Sequence, residues 1–161
     1  MERIAKFMKV SPEQFIGACE GFTAAEANEI YDGIMLPARA TVGSAGYDFY
    51  LPCDLILQPN ERVLVFTDVK AYMEVDEVLF LYVRSSVGIK KGVVLSNGTG
   101  VIDSSYYSNL GNDGNIGISL FNTTNEIVEF KKGERIIQGV FSKYLITDND
   151  KVIHKERLGG M

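Results

Sequence analysis

Val93-Val94-Leu95-Ser96-Asn97-Gly98-Thr99-Gly100-Val101-Ile102-Asp103-Ser104-Ser105-Tyr106 is the stretch on which the reading of this chain turns. Asn97-Gly98 stands between apolar β-formers, and both residues readily take the positive φ angles of a tight two-residue turn. The run therefore predicts a β-hairpin. Just past the turn come a carboxylate, Asp103, and a phenol, Tyr106. A strand with apolar neighbours seldom spends a position on a carboxylate without giving it a partner or a task. The hairpin is expected to carry a site.

The β pattern extends in both directions. Short β-branched and aromatic runs recur at 47–51, 62–66, 77–83, 92–95, 116–121, 126–130 and 136–144. Turn signals at Pro59-Asn60, Gly114-Asn115 and Lys132-Gly133 punctuate them. Many short strands at this spacing predict a sandwich, jelly roll or barrel. Residues 11–33 differ in character. Ser11-Pro12-Glu13-Gln14 and Thr23-Ala24-Ala25-Glu26 each read as a helix start with a capping box, separated by Gly21-Phe22. Two short helices, or one broken helix, are expected there, packed on the main body or on a neighbouring subunit. The fold class is mainly β with a short helical insertion near residues 11–33. The length, 161 residues, predicts one domain over 1–161 with a core that needs no staples.

Composition narrows the chemistry. A net charge of −5 makes the chain a poor binder of DNA or RNA, whose affinity comes mostly from cations on phosphates. It leaves room for a small phosphorylated ligand that brings its own cation. No apolar run is long enough to span a bilayer, and Met1-Glu2-Arg3-Ile4 lacks the basic-then-apolar pattern of a signal peptide. A cytoplasmic protein is expected. Cys19 and Cys53 stand singly and read as buried, reduced thiols. The one histidine, His154, leaves no spaced set of zinc ligands and no histidine-based nucleophilic pair. Hydrolysis by this chain would rest on carboxylates and a hard cation.

Beside the hairpin, four clusters carry chemistry: Ala45-Gly46-Tyr47-Asp48, Arg84-Ser85-Ser86, Lys132-Gly133-Glu134-Arg135-Ile136-Ile137-Gln138, and Glu156-Arg157-Leu158-Gly159-Gly160. Each admits a structural reading and a functional one. A cation and two hydroxyls at the end of a strand suit phosphate oxygens, and Arg84 suits a structural ion pair equally well. Gln138 either satisfies a buried amide on a ligand or faces outward on an alternating strand. Gly46 allows close backbone approach, after which Asp48 can reach a hydrated metal or pair with an arginine. Arg135 reads as such a partner. Asp103 either works on a water or caps a turn. Tyr106 is a ligand contact or an ordinary strand tyrosine.

Taken in order, these clusters resemble the trimeric, all-β dUTP pyrophosphatase (dUTPase) family, in the form found in Gram-positive bacteria and their phages. The resemblance implies a jelly roll or distorted β-barrel. It implies hydrolysis of dUTP to dUMP and pyrophosphate by Mg²⁺-assisted attack of water on the α-phosphorus, which keeps uracil out of DNA and supplies dUMP for thymidylate synthesis. Asp103 would orient and deprotonate that water. Arg84, Ser85, Ser86 and Gln138 would bind phosphates, and Arg157 the γ-phosphate. Asn97 and the backbone of Gly100, Val101 and Ile102 would read uracil, Tyr106 would pack on the deoxyribose, and Asp48 and Arg135 would support the site. Mg²⁺ would be held by the substrate's phosphates and water, with no direct protein ligand, as suits a cation that dehydrates reluctantly. A homotrimer is implied, each site taking the hairpin from one subunit, Arg84 to Ser86 and Gln138 from another, and a C-terminal arm, begun here by residues 155–161, from a third.

The chain departs from the family pattern in three places. Val83 replaces the proline usual before Arg84, a change of scaffold. Residues 107–115 form a polar, glycine-rich insertion after Tyr106. The sequence ends at Gly159-Gly160-Met161, short of the aromatic residue and Gly-Ser-Thr-Gly of the family's arm. Either the natural chain runs past Met161, or closure is weakened and turnover slow. Two other activities are to be weighed. A related dCTP deaminase carries a catalytic glutamate where this chain has Ser119, which argues against deamination. A dUTPase-fold binding module, docking on a repressor through 11–33 and 107–115, is the alternative from a different class.

Overall fold

The computed structural model describes residues 5–153. Strand β1 (Lys6–Lys9) leads into helices α1 (Pro12–Ala18) and α2 (Ala24–Asp32). Strands follow: β2 (Ala38–Arg39), β3 (Tyr47–Tyr50), β4 (Leu55–Leu57), β5 (Arg62–Phe66), β6 (Val69–Tyr72), β7 (Glu77–Val83), β8 (Val93–Leu95), β9 (Gly100–Asp103), β10 (Gly117–Asn122), β11 (Val128–Phe130) and β12 (Arg135–Lys143). The fold is mainly β, and the strand pairs are antiparallel. Strands β2-β3-β12-β7-β9 form one sheet and β5-β10-β8 a second, with two-stranded ribbons β1-β6 and β4-β11 closing the distorted barrel.

Alternation explains the core. On β7 the residues Leu79 and Leu81 are buried, whereas Phe80 and Tyr82 reach the other face. The inward set packs with Leu57, Leu120, Phe130, Ile136 and Ile137 into one apolar cluster between the sheets. Each such side chain contributes about 1.5–3 kcal/mol on full burial.

Helices α1 and α2 form where the capping signals place them. Ser11 accepts from Gln14 N at 3.2 Å, and Thr23 and Glu26 complete a reciprocal box. Phe15 and Ala27 of the pair enclose a small apolar cluster of their own with Val10, and Ile34 packs against both this cluster and the main core. Tyr31 Oη donates to Val10 O at 2.8 Å, and Lys9 Nζ donates to Tyr31 O at 2.7 Å.

The hairpin expectation requires correction. Asn97-Gly98 does make a turn, with Gly98 at φ +74 and its N–H donating to Leu95 O at 3.0 Å. The strands that flank it do not pair with each other. Leu95 on β8 lies opposite Leu120 on β10, and Ile102 on β9 lies opposite Leu79 on β7. The turn carries the chain from one sheet to the other. Turn chemistry is local, but pairing is decided by which neighbours let Leu95 and Ile102 reach the shared core. Strands β1, β2, β4 and β6 lie outside the expected runs, and of the two cysteines expected to be buried Cys19 is half-buried and Cys53 exposed.

Candidate active site

The five-stranded sheet positions most of the candidate residues. Gln138 on β12 stands opposite Tyr82 on β7 and Asp48 on β3, so these three side chains share a face. Asp103 on β9 stands opposite Val78, four residues before Tyr82, and shares that face too. Gly100 lies opposite Leu81, on the core face.

At one end of the sheet, Asp48 organises a cationic corner. Its side chain is 8% exposed and takes Arg84 Nε on one oxygen at 3.1 Å and Arg135 Nη1 on the other at 3.2 Å. Arg84 also donates to Arg135 O at 3.2 Å. Next to this corner is a hollow of about 400 Å³ lined by Ser44, Gly46, Asp48, Arg84, Ser85 and Gln138 among others. A guanidinium, two hydroxyls and an amide converging on one hollow suit phosphate oxygens. Gly46 makes room for that amide, since a Cβ would fall 2.8 Å from Gln138 Oε1. Past Val83 the strand gives way to one wide turn, in which Val87 N and Gly88 N both donate to Arg84 O at 2.9 and 3.0 Å. That turn points the two serines apart. Ser85 lines the hollow just described, while Ser86 faces an adjoining one with Lys90, Lys91 and Arg135.

A second hollow, of about 240 Å³, opens beside the Asn97-Gly98 turn. Leu81, Leu95, Ser96, Asn97, Gly100 and Ser119 are among its walls. Its apolar sides and exposed polar rim suit a flat heterocycle with hydrogen-bonding edges. A Cβ on Gly100 would fall 2.9 Å from Leu81 Cβ, so glycine keeps β9 close to β7 at the mouth of the hollow. Ser96 and Ser119 share a hydrogen bond of 2.9 Å across it. Val101 is 57% exposed, while Ile102 is buried in the core; neither side chain is among the walls.

Asp103 ends β9 and caps the single helical turn Ser104–Tyr106. Its Oδ1 accepts from Ser105 N at 3.1 Å and Ser105 Oγ at 2.6 Å. The capping and functional readings of Asp103 therefore meet in one carboxylate. Tyr106 is 4% exposed, and its hydroxyl donates to Asn115 O at 2.9 Å. It does not line the second hollow. Arg157 and the arm lie outside the described residues. Among the described residues no group of three or more His, Cys, Asp or Glu side chains converges as a metal-ligand set.

The structure thus gathers Asp48, Arg84, Ser85, Arg135 and Gln138 at one place and Asn97 and Gly100 at another. A strand rises about 3.3 Å per residue, so Asp103 and Gln138 are offset by about 13 Å along the sheet. Leu81 and Gln138 present their side chains to opposite faces. Sequence reading missed Ser44, Ser96 and the wall formed by Leu81 and Leu95. Ser119 drew notice only as the absence of a glutamate. These residues come together by strand pairing, and no local spacing announces them.

Residues 32–160 match the dUTPase family model. The deoxyuridine 5′-triphosphate nucleotidohydrolase of Lactococcus lactis is 46% identical over 129 residues, spanning 80% of this chain and 86% of that protein. The crystal structure of a dUTPase from Streptococcus mutans superposes with a TM-score of 0.69 at 37% identity, covering 91% of this chain and 100% of that one. A mutant dUTPase of the Staphylococcus aureus phage phi11, described as coordinating a structural Mg(II) ion, is 20% identical with a TM-score of 0.66 over 95% of this chain and 99% of that one. At that identity the likeness speaks for the fold alone.

Proposed function

The chain belongs to the dUTPase family, and from that premise we propose that it hydrolyses dUTP to dUMP and pyrophosphate by attack of water on the α-phosphorus. The observation that carries the reading is the path of β9. It begins at Gly100 on the wall of the heterocycle-sized hollow and ends at Asp103, about 10 Å away at strand spacing, a span comparable with a nucleoside monophosphate. Because β9 is an edge strand, a nucleotide whose base sits beside Gly100 on the core side can pass round the open edge and bring its α-phosphorus within reach of the carboxylate on the other face.

Each group then has a task. Asn97 and the backbone at Gly100 to Ile102 pair with the uracil edge, and the close approach of β9 to β7 leaves no room for a methyl on carbon five. Steric rejection of that kind exceeds what an unfilled cavity provides. Tyr106 forms a fixed wall under the deoxyribose. Asp103 orients the water and accepts its proton. Arg84, Ser85, Ser86 and Gln138 hold phosphate oxygens, and Arg157 the γ-phosphate. Asp48 and Arg135 do not touch the substrate; they aim Arg84. Catalysis of this type is positioning and charge neutralisation, with no covalent nucleophile on the protein.

The donors present fit a polyphosphate that carries Mg²⁺, since Asp48 is occupied by two guanidiniums and the hollow offers hydroxyls, an amide and a cation to the phosphates. When bound, the metal neutralises charge on the phosphates; Arg84, Ser85 and Gln138 hold the phosphates that carry it.

The active form is a homotrimer with shared sites. Asp103 and Gln138 are offset by about 13 Å along one chain's sheet, and the base hollow shares no wall with the phosphate hollow. Phosphate ligands for the Asp103 of one subunit therefore come from a neighbour. No helix among the described residues is long and apolar enough to cross a membrane, and the proposed compartment is the cytoplasm, where the substrate is made.

Pyrophosphate release from dUTP and Mg²⁺, measured beside Asp103→Asn, tests the activity. Asparagine caps a helical turn about as well as aspartate, so the variant keeps its fold and should lose turnover by at least about a hundredfold while still binding dUTP. Equal turnover in both proteins would refute the role of Asp103. A monomer in sedimentation that still turns over would refute the shared site.

A further inference from the structure

The loop 107–115 is built around Tyr106. The phenol hydroxyl donates to Asn115 O at 2.9 Å and accepts from Asn112 Nδ2 at 2.8 Å. The carbonyl of the same residue accepts from Asn109 Nδ2 at 2.8 Å. Asn109 and Asn112 are joined to each other at 2.8 Å, and Asn112 Oδ1 also takes Gly114 N at 3.1 Å. Gly114, at φ +80, lets the loop close so tightly that a Cβ would meet Tyr106 O and Ser108 N at 2.8 Å.

The loop is in turn tied to the body. Asn115 exchanges hydrogen bonds with Asp68, donating to its carboxylate at 3.1 Å and accepting from its N–H at 2.9 Å. Asp113 is gripped by the buried Lys70 at 2.8 Å and accepts from Ser11 N at 2.7 Å. A strand tyrosine needs none of this. A ring that merely packed in the core would leave phenylalanine equivalent to tyrosine, whereas here the hydroxyl is the point at which the loop takes hold.

We propose that Asn112 is a positioning residue for sugar selectivity: by holding the Tyr106 hydroxyl it fixes the ring, so that the insertion 107–115 sets the wall that refuses a 2′-hydroxyl. The inference rests on the reading of Tyr106 as the sugar contact. Rejection of one hydroxyl by sterics requires a wall that does not yield, and a ring held at its hydroxyl, on a residue whose backbone carbonyl is also held, cannot swing aside.

The test is the ratio of kcat/KM for dUTP to that for UTP in Tyr106→Phe, Asn112→Ala, the double variant and Tyr106→Ala, with melting temperature and oligomeric state recorded for each. Both single variants should lower the ratio about tenfold, mainly by admitting UTP, and in Asn112→Ala kcat on dUTP should stay within about twofold. The double variant should lose no more than either single one, because both remove the same contact. Lower melting temperatures with unchanged ratios would make the contact merely structural and overturn the proposal. Should Asn112→Ala fail to fold, Tyr106→Phe decides alone. If Tyr106→Ala collapses the ratio while Tyr106→Phe and Asn112→Ala preserve it, the inference falls and the sugar contact stands. If Tyr106→Ala also preserves it, the sugar contact falls and takes the inference with it.

Discussion

Asp48 Oδ1 lies 3.1 Å from Arg84 Nε, and this pair orients the phosphate hollow. The carboxylate is nearly buried and its other oxygen holds Arg135 at 3.2 Å, so one acid fixes two guanidiniums. Asp48→Asn keeps the shape and removes the charge. Both arginines then lose their ionic partner in a partly desolvated place. Stability should fall by about 2–3 kcal/mol, toward the low end for a buried pair because the arginines are partly exposed. Turnover should fall further, by about a hundredfold in kcat/KM, since Arg84 is no longer aimed. Urea unfolding and pyrophosphate release measure the two effects. A stability loss with kcat/KM unchanged would show that the corner is scaffold only.

Gly46 tests the phosphate hollow from the other side. A Cβ there meets Gln138 Oε1 at 2.8 Å, the far end of a flexible side chain. Gly46→Ala therefore displaces the amide without breaking the sheet, and Gly46 has no positive φ that alanine would strain. The expected outcome is a KM for dUTP raised about tenfold with the melting temperature little changed. An unchanged KM would remove Gln138 from the ligands.

The difference between what the sequence discloses and what it withholds is visible in these residues. The helices at 11–33 are legible because caps are local: Thr23 and Glu26 satisfy each other across one turn. The same holds for the Asn97-Gly98 turn, whose positive φ belongs to Gly98. Pairing is not local. That β8 takes β10 and β9 takes β7 depends on residues about twenty to thirty positions away. The Asp48–Arg135 link was legible as an option, because an acid flanked by Tyr47 and Phe49 and an arginine in a strand have few other partners. Arg84 as a second partner, Ser86 turned from Ser85, and Tyr106 bound by its own loop all depend on how the strands meet. None of them has a spacing to betray it.

Asp68 offers a test by pH. It sits at φ +58, and burial pushes its carboxyl above the ordinary range, partly offset by the hydrogen bond from Asn115. A raised folded value means that the native state binds more protons than the unfolded state between the two values. Stability contributed by Asp68 is therefore greatest below the unfolded value of about 3.9 and is lost as pH rises through the folded value. Asp68→Asn removes the charge and tolerates the left-handed backbone. It should raise the melting temperature at neutral pH by a few degrees, and the gain should vanish in acid. A gain that persists below the unfolded value would assign the effect to something other than charge.

Asp113 has the opposite sign. Burial pushes its carboxyl up, but the hydrogen bonds from Lys70, Ser11 and Ser108 together with the charge of Lys70 carry it below the ordinary value. Its stabilisation is present above the unfolded value of about 3.9 and is lost as pH falls through the folded value. Lys70→Met keeps most of the side-chain volume and removes the cation. Asp113 is then a partly buried charge without its partner, which costs about 3 kcal/mol. Melting temperatures across acid and neutral pH should show the deficit of the variant largest near neutrality and shrinking in acid, where Asp113 is protonated in both proteins. Because Asp113 also anchors the loop around Tyr106, the variant should relax the preference for dUTP over UTP as well as lose stability. A deficit independent of pH would mean that Lys70 contributes packing and not charge.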